Sequence, residues 1–274
     1  MLAGAVLVCV CVAAAVIVMG VAALWRGITG MEEFRVHPGR HAFDSEWVNS
    51  DRLLRSLHET DPTGVLSGAH SIFEPQLCKR VAAAYAASPW VRRVKSVEKV
   101  FPNRLEVDVD LREPWAVIYR RRDNRYYCVD KDGVVLVNGV YRLTKQSLSG
   151  LLPLVTVEHT RPPRGGERWG DLTVQEGLEM LALYRQRFAG KVPVREIEIE
   201  QVALADGTAH ARAWLVMDSG TRVVWGRTPS AMSSVAEVST PRKAAALLAL
   251  VRKEGDKLGR LKQIDLRWSR PRVE

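Results

Sequence analysis

The patterns that usually announce chemistry are missing from this sequence, and each gap removes a class of function. It has only four cysteines. Cys9 and Cys11 sit in an apolar run, while Cys78 and Cys128 stand alone and far apart. No CxxC pair can be built from them, which excludes a zinc knuckle. Nothing in the sequence supports a Cys78–Cys128 bridge; the residue type suits two separate, partly buried thiols. HExxH, a GxSxG elbow, GxGxxG and a Walker glycine loop are all absent, so the common hydrolase and nucleotide-binding readings have no anchor. His37 and His41 are spaced four apart but flank Pro38-Gly39, a loop context that suits solvated or capping histidines. The formal charge is +9, yet no lysine-rich tail or long basic block concentrates it. The excess alone does not choose between anionic lipid, nucleic acid and an acidic partner.

Charge is also absent from residues 1–25, MLAGAVLVCVCVAAAVIVMGVAALW, and there the absence is a positive signal. At ~1.5 Å per residue, a helix over Leu2–Leu24 spans a ~30 Å hydrocarbon core. A cleaved signal peptide would need a basic n-region and a shorter apolar core. A lipoprotein would need a small residue beside Cys9, where Leu7-Val8 stands instead. Residues 1–25 therefore read as a retained transmembrane helix, with 26–33 as a juxtamembrane linker. Arg26, Arg35 and Arg40 follow the helix and no basic residue precedes it. Taken literally, that asymmetry places the rest of the chain in the cytoplasm.

About 250 residues remain, enough for one to three domains. Phe34-Arg35-Val36 predicts the start of a strand. Trp47, Leu53, Leu54 and Leu57 share a helical face, and Asp61-Pro62-Thr63-Gly64 ends that helix. Leu77, Val81, Ala84 and Tyr85 mark a second helix over Glu74–Ala87, closed by Ser88-Pro89. Val91, Val94 and Val97 mark a strand. Leu105, Val107, Val109 and Leu111 alternate with Glu106, Asp108, Asp110 and Arg112 in another. Residues 34–112 thus read strand, helix, helix, strand, strand.

From Glu113-Pro114 onward the pattern is mostly strand. Ala116–Tyr119, Tyr126–Val129 and Val134–Val137 are short strands, the last pair joined by Asp130-Lys131-Asp132-Gly133. Residues 142–170, rich in proline and glycine, read as loop around an apolar stop at Leu152-Pro153-Leu154-Val155. Helices are expected at Thr173–Phe188 and Pro241–Arg252. Strands are expected around Ile197–Ile199, Ala213–Met217, Thr221–Trp225 and Ile264–Trp268. The fold class is α+β: a transmembrane helix, a small α+β domain over 34–112, a mostly antiparallel β domain with two helices over 113–268, and a tail at 269–274.

Charged clusters read as solvated faces. Glu106, Asp108 and Asp110, and again Glu196, Glu198 and Glu200, lie on the polar side of alternating strands. Arg120, Arg121, Arg122 and Arg125 lie among Trp115, Tyr119, Tyr126 and Tyr127, a mix that can suit nucleic acid. A strand–turn–strand accounts for it without a ligand. The final strand, Ile264–Trp268, is the candidate open edge, with its backbone groups, Leu266 N–H among them, free to accept a partner strand.

In order, these features resemble the bacterial cell-division proteins of the FtsQ/DivIB type. The residues that carry the resemblance begin with Ser88-Pro89-Trp90-Val91, Phe101-Pro102-Asn103-Arg104-Leu105 and Arg112-Glu113-Pro114-Trp115-Ala116. They continue with Val129-Asp130-Lys131-Asp132-Gly133, Leu152-Pro153-Leu154, Gly220–Gly226, Lys257–Leu261 and Ile264-Asp265-Leu266-Arg267-Trp268. The resemblance implies a POTRA domain over 34–112, with Trp90, Val91, Pro102 and Pro114 at motif positions, then a β domain. It implies a divisome scaffold with no enzymatic activity and no cofactor or metal, which binds FtsB- and FtsL-like bitopic coiled-coil proteins. Ile264, Leu266, Arg267 and Trp268 would contribute to that contact. It also places residues 26–274 outside the cytoplasmic membrane, against the literal arginine count. The competing readings are a POTRA-type component of an envelope assembly or secretion complex, which should show repeated modules or a barrel, and an anchored enzyme with an unrecognised site.

Overall fold

The computed structural model describes residues 2–39, 57–140, 151, 153–158, 160–203, 209–230 and 237–274. The chain divides into two compact units, Met1–Leu111 and Arg112–Glu274.

The first unit begins with helix α1 (Leu2–Thr29). Within it, Val12–Thr29 is long and apolar enough to cross a membrane. Strand β1 (Arg35–Val36) pairs antiparallel with β2 (His70–Ser71). Two-residue strands are too short to show a period, which is why β2 left no trace in the hydropathy pattern. Most of the helix expected over Trp47–Leu57 lies outside the described residues. Its stop signal is visible: Asp61 Oδ1 accepts from Thr63 N at 2.9 Å and Oδ2 from Leu66 N at 2.8 Å, folding the chain into a turn.

Helix α2 (Leu77–Ala86) buries Leu77, Val81, Ala84 and Tyr85, the stripe its spacing predicts. Tyr85 also donates its hydroxyl to the Pro38 carbonyl at 3.0 Å, tying the helix to the segment after β1. Strands β3 (Val91–Val100) and β4 (Arg104–Leu111) form an antiparallel hairpin with Val94 opposite Val109 and Val97 opposite Val107. Its turn contains a cis Phe101–Pro102 bond. The acidic stripe on β4 meets cations across the ladder. Arg93 reaches Asp110 at 2.9 Å, and Lys95 reaches Asp108 at 3.2 Å and Asp110 at 2.8 Å.

The second unit is built on a nine-stranded mixed sheet. In chain order its strands are β5 (Ala116–Arg120), β6 (Arg125–Val129), β7 (Val135–Val140), β8 (Leu154–Val157), β9 (Val194–Ala203), β10 (Ala209–Met217), β11 (Arg222–Arg227), β12 (Gln263–Asp265) and β13 (Arg272–Val273). Across the sheet they run β13-β12-β11-β10-β9-β8-β5-β6-β7. Most neighbours are antiparallel; β5/β8, β8/β9 and β11/β12 are parallel.

Parallel neighbours need a long crossover, and two helices among the described residues of this unit supply two of them. Helix α3 (Leu172–Arg187) carries the chain from β8 to β9, and α4 (Thr240–Glu254) lies between β11 and β12. Asp171 caps α3 by accepting from Thr173 N at 2.9 Å. Pro241 opens α4, where its missing N–H costs nothing.

The segment read as loop over 142–170 contains a correction. Leu154–Val157 is a central strand, paired on both sides. Val155, Thr156 and Val157 are all buried. A strand buried on both faces has no alternation to read, and proline and glycine around it masked the run. Gly177 lets α3 approach this strand, since a Cβ there would lie 2.4 Å from Val155 Cγ1. Trp169, Met180, Leu181, Phe188, Ile197, Leu215 and Trp225 are fully buried in the same core. Each large apolar side chain so buried contributes about 1.5–3 kcal/mol.

Candidate functional site

The site that the sequence reading places at Ile264–Trp268 is a corner of the second unit, and its geometry differs from the expectation. Only Gln263–Asp265 is strand, and it is not an edge. On one side β12 runs parallel to β11, with Val223 opposite Ile264. On the other it pairs antiparallel with β13, with Ile264 opposite Val273 and Asp265 opposite Arg272.

The Leu266 N–H is also spent within the fold, on the Val224 carbonyl at 3.0 Å. Ile264 and Leu266 are buried side chains of the core. Alternation correctly put these two on one face. It could not show that two residues beyond a proline would return and cover the strand.

The strand ends at Asp265 because its carboxylate turns the chain. Asp265 Oδ1 accepts from the Arg267 backbone N–H and from Arg267 Nε, both at 3.0 Å. Asp265 Oδ2 accepts from Arg267 Nη2 at 2.7 Å, a two-pronged pair of the kind a guanidinium fits best. Burial alone would raise the Asp265 carboxyl. The hydrogen bonds from Arg267 outweigh it and hold the carboxyl below its ordinary range.

Trp268 follows, 42% exposed. The Arg267 and Arg272 guanidinium carbons lie 5.8 and 5.2 Å from its ring centre. Both fall within cation–π reach. The corner therefore presents an exposed indole between two cations, beside the short β13.

Beneath it, β11 carries one extra residue, Trp225, between the pairs Trp214/Val224 and Ala213/Gly226. Gly226 has φ +83°. A Cβ at this position would lie 2.5 Å from Glu237 Oε2 and 2.8 Å from Arg267 Cγ. Glu237 Oε2 accepts from Arg227 N at 3.1 Å and from Lys243 Nζ at 2.7 Å. Lys243 is 2% exposed, so Glu237 is what makes its burial tolerable. Val238 N donates to the Arg267 carbonyl at 3.0 Å, closing the corner.

Glu237, Lys243, Arg272 and Val273 were not singled out from sequence, and Asp265 and Gly226 stood there only as members of motif runs. A glycine just after a tryptophan in a strand pattern was the one available signal, marking a bulge or close approach.

The other motif positions fall elsewhere. Trp90 and Val91 are buried in the core of the first unit, and Pro102 is at the exposed tip of the β3–β4 hairpin. Pro114 belongs to the second unit. There Arg112 pairs with the buried Asp130 at 2.8 Å, and the Arg185 guanidinium lies 4.1 Å over the Trp115 ring.

The arginine cluster at 120–125 is largely neutralised. Arg120 pairs with Asp123, and Arg121 pairs with Glu196 and Glu198. Arg222 joins Glu198 at 2.5 Å. Of the three glutamates expected on a solvent face, Glu200 is exposed, but the Glu196 and Glu198 side chains are each only 13% exposed. Cations crossing from the 121 turn and from β11 cover them. Tyr119 and Tyr126 stack on each other at 4.8 Å.

Cys78 and Cys128 are both free, and burial pushes the Cys128 thiol up to about 12. Among the described residues no group of three or more histidines, cysteines or carboxylates could hold a metal ion. A groove of about 660 Å³ in the first unit is lined by His37, Ser96 and Asp108, but no hydrogen bond joins Ser96 to His37.

Comparison with known proteins bears on most of the second unit. No curated protein matches the chain. The family model described as cell division protein FtsQ/DivIB, C-terminal, matches residues 117–267, from β5 through the Asp265–Arg267 clamp. That match takes in more than half of the sequence and follows an apolar helix long enough to cross a bilayer, so the chain belongs to the FtsQ/DivIB family of cell-division proteins.

Proposed function

We propose that this division protein is a scaffold that takes up FtsB- and FtsL-like coiled-coil proteins by strand addition at the β13 edge. Membership in a non-enzymatic division family supports the coarser role. The edge itself carries the finer one. Glu274 N donates to the Gln263 carbonyl at 3.0 Å, and Gln263 N donates back to the Glu274 carbonyl at 3.3 Å. Antiparallel ladders alternate, so the N–H and C=O of Val273, one residue earlier, face away from β12. Among the described residues no strand pairs with that side of β13. An incoming segment would bond to Val273 and lay side chains against Trp268, Arg267 and Arg272.

The roles of the earlier residues are refined accordingly. Ile264 and Leu266 hold the supporting strand from the core side, and Arg267 and Trp268 face the partner. The Met1–Leu111 unit after α1 would act as a membrane-proximal, POTRA-like recruitment domain. Residues after α1 would lie on the extracytoplasmic side. A single membrane span confines the scaffold and its partners to one surface and raises their effective concentration.

Tagged full-length protein, purified in mild detergent, should bring down FtsB-like and FtsL-like proteins of the same cell. Recovery of neither, while a control membrane complex survives, would remove the partner assignment. A reporter active only in the cytoplasm, fused after Glu274, should stay silent; activity would reverse the topology.

A further inference from the structure

The end of α1 and the tip of the β3–β4 hairpin are joined by a run of aromatic rings that the scaffold role does not use. Trp25 closes the charge-free stretch, and Arg26 is the first charge after it. If α1 spans the bilayer, as the family role requires, Trp25 sits where hydrocarbon gives way to headgroups, the depth at which tryptophan and tyrosine concentrate. Its ring centre lies 5.2 Å from Phe73, which lies 5.2 Å from Phe34. Phe101 completes the cluster at 5.3 Å from Phe34 and 5.7 Å from Phe73. Phe73, in contact with Trp25, lies within about one ring width of its depth, and Phe34 and Phe101, one contact further on, within about two.

Phe101 is the exposed member. It stands at the hairpin turn with 63% of its surface uncovered, the highest value among the large apolar side chains described after α1. Hairpin turns in water favour glycine, asparagine and aspartate, which satisfy the turn and leave no apolar area bare. Lys99 and Arg104 flank the tip and are exposed as well, Lys99 donating to the Glu74 carbonyl at 2.7 Å and Arg104 reaching Glu106 at 3.4 Å, so two cations stand beside Phe101. Met31, 49% exposed, and Ile28, 37% exposed, extend the apolar area along the end of α1.

We infer that the β3–β4 tip is a foot that rests in the bilayer interface: Phe101 inserts among the headgroups of the leaflet from which α1 emerges, backed by Phe34, Phe73 and Trp25. The first unit then stands on the membrane at two points instead of hanging from a free tether. The occupant of this patch is lipid, because the patch continues the surface of a membrane-spanning helix at the helix end. The inference rests on α1 being a membrane span.

The test uses the full chain with Cys9→Ala, Cys11→Ala, Cys78→Ala and Cys128→Ala, reconstituted in phosphatidylethanolamine–phosphatidylglycerol vesicles. Single nitroxide labels are placed at Val16→Cys, Phe101→Cys and Arg93→Cys, and their collisions with oxygen and with a water-soluble relaxant are compared. The expected result is an oxygen-to-relaxant ratio at 101 several-fold above that at 93 and approaching that at 16.

A lipid-like 16 with a 101 as aqueous as 93 overturns the foot and leaves the span intact. An aqueous 16 overturns both. Because a label replaces the ring, p-benzoylphenylalanine at 101 gives a second reading. Photocrosslinking to phospholipid supports the foot, and adducts with protein alone refute it.

Discussion

Gly226→Ala tests the corner beside the proposed docking edge, and its cost follows from the local geometry. Gly226 adopts φ +83°, a conformation that costs an L-residue about 1–2 kcal/mol. The new methyl would also meet Glu237 Oε2 at 2.5 Å and Arg267 Cγ at 2.8 Å, closer than real side chains come. The methyl meets Glu237 at both carboxylate oxygens, so that carboxylate has to shift. It would then release Lys243 Nζ, held at 2.7 Å and 2% exposed.

Stranding one partner of a buried pair costs about 3–5 kcal/mol. Glu237 keeps some solvent contact, so the lower end applies. The sum is about 4 kcal/mol, a large share of the ~5–15 kcal/mol that holds a typical domain folded. Urea unfolding of the full chain in detergent, followed by tryptophan fluorescence, measures it. Glu237→Ala removes both the obstacle and the pair, so the double variant should cost clearly less than the two single changes summed. A loss below about 1 kcal/mol for Gly226→Ala, or simple additivity, would refute this account of the corner.

Two other changes probe different parts of the second unit. Asp265→Asn should cost about 1–3 kcal/mol near neutral pH, since it weakens charge-assisted bonds to Arg267. The folded-state carboxyl of Asp265 is held below its ordinary 3.8, so its contribution is complete above that value and is lost as pH falls through the lowered one. The wild-type advantage over Asp265→Asn should therefore shrink in acid, as pH-dependent unfolding curves would show; a gap that widens in acid would contradict the sign. Cys128, with its thiol pushed up to about 12 by burial, should resist alkylation in the folded chain at mildly alkaline pH and react once denatured. Mass spectrometry of trapped adducts reads this directly.

What could be read from the chain depended on how strongly each element repeats. β4 alternates over eight residues, and α2 and α3 repeat their apolar spacing over several turns, so periodicity found them. β8 failed because four residues buried on both sides carry no period. β2 and β13 failed because two residues cannot show one. The parallel steps of the sheet were invisible too, since direction depends on where α3 and α4 return the chain.

The same limits shaped the site. Ile264-Asp265-Leu266-Arg267-Trp268 pointed to this corner, and its alternation correctly set Ile264 and Leu266 on one face. That face is the core, and the true edge lies beyond Pro271 in Arg272–Val273. The Glu237–Lys243 pair joins residues six apart across the start of a helix, a contact with no sequence signature.

Val273→Pro asks whether a partner strand docks on β13. The substitution removes an N–H that faces away from the sheet, at an exposed residue, while leaving the bonds of Gln263 with Glu274 in place. Affinity of the reconstituted full-length chain for an FtsB-like partner should fall on the order of tenfold, the worth of one lost backbone bond in an apolar contact. The melting curve should stay unchanged. A folded Val273→Pro variant that binds as tightly as wild type would contradict strand addition at this edge.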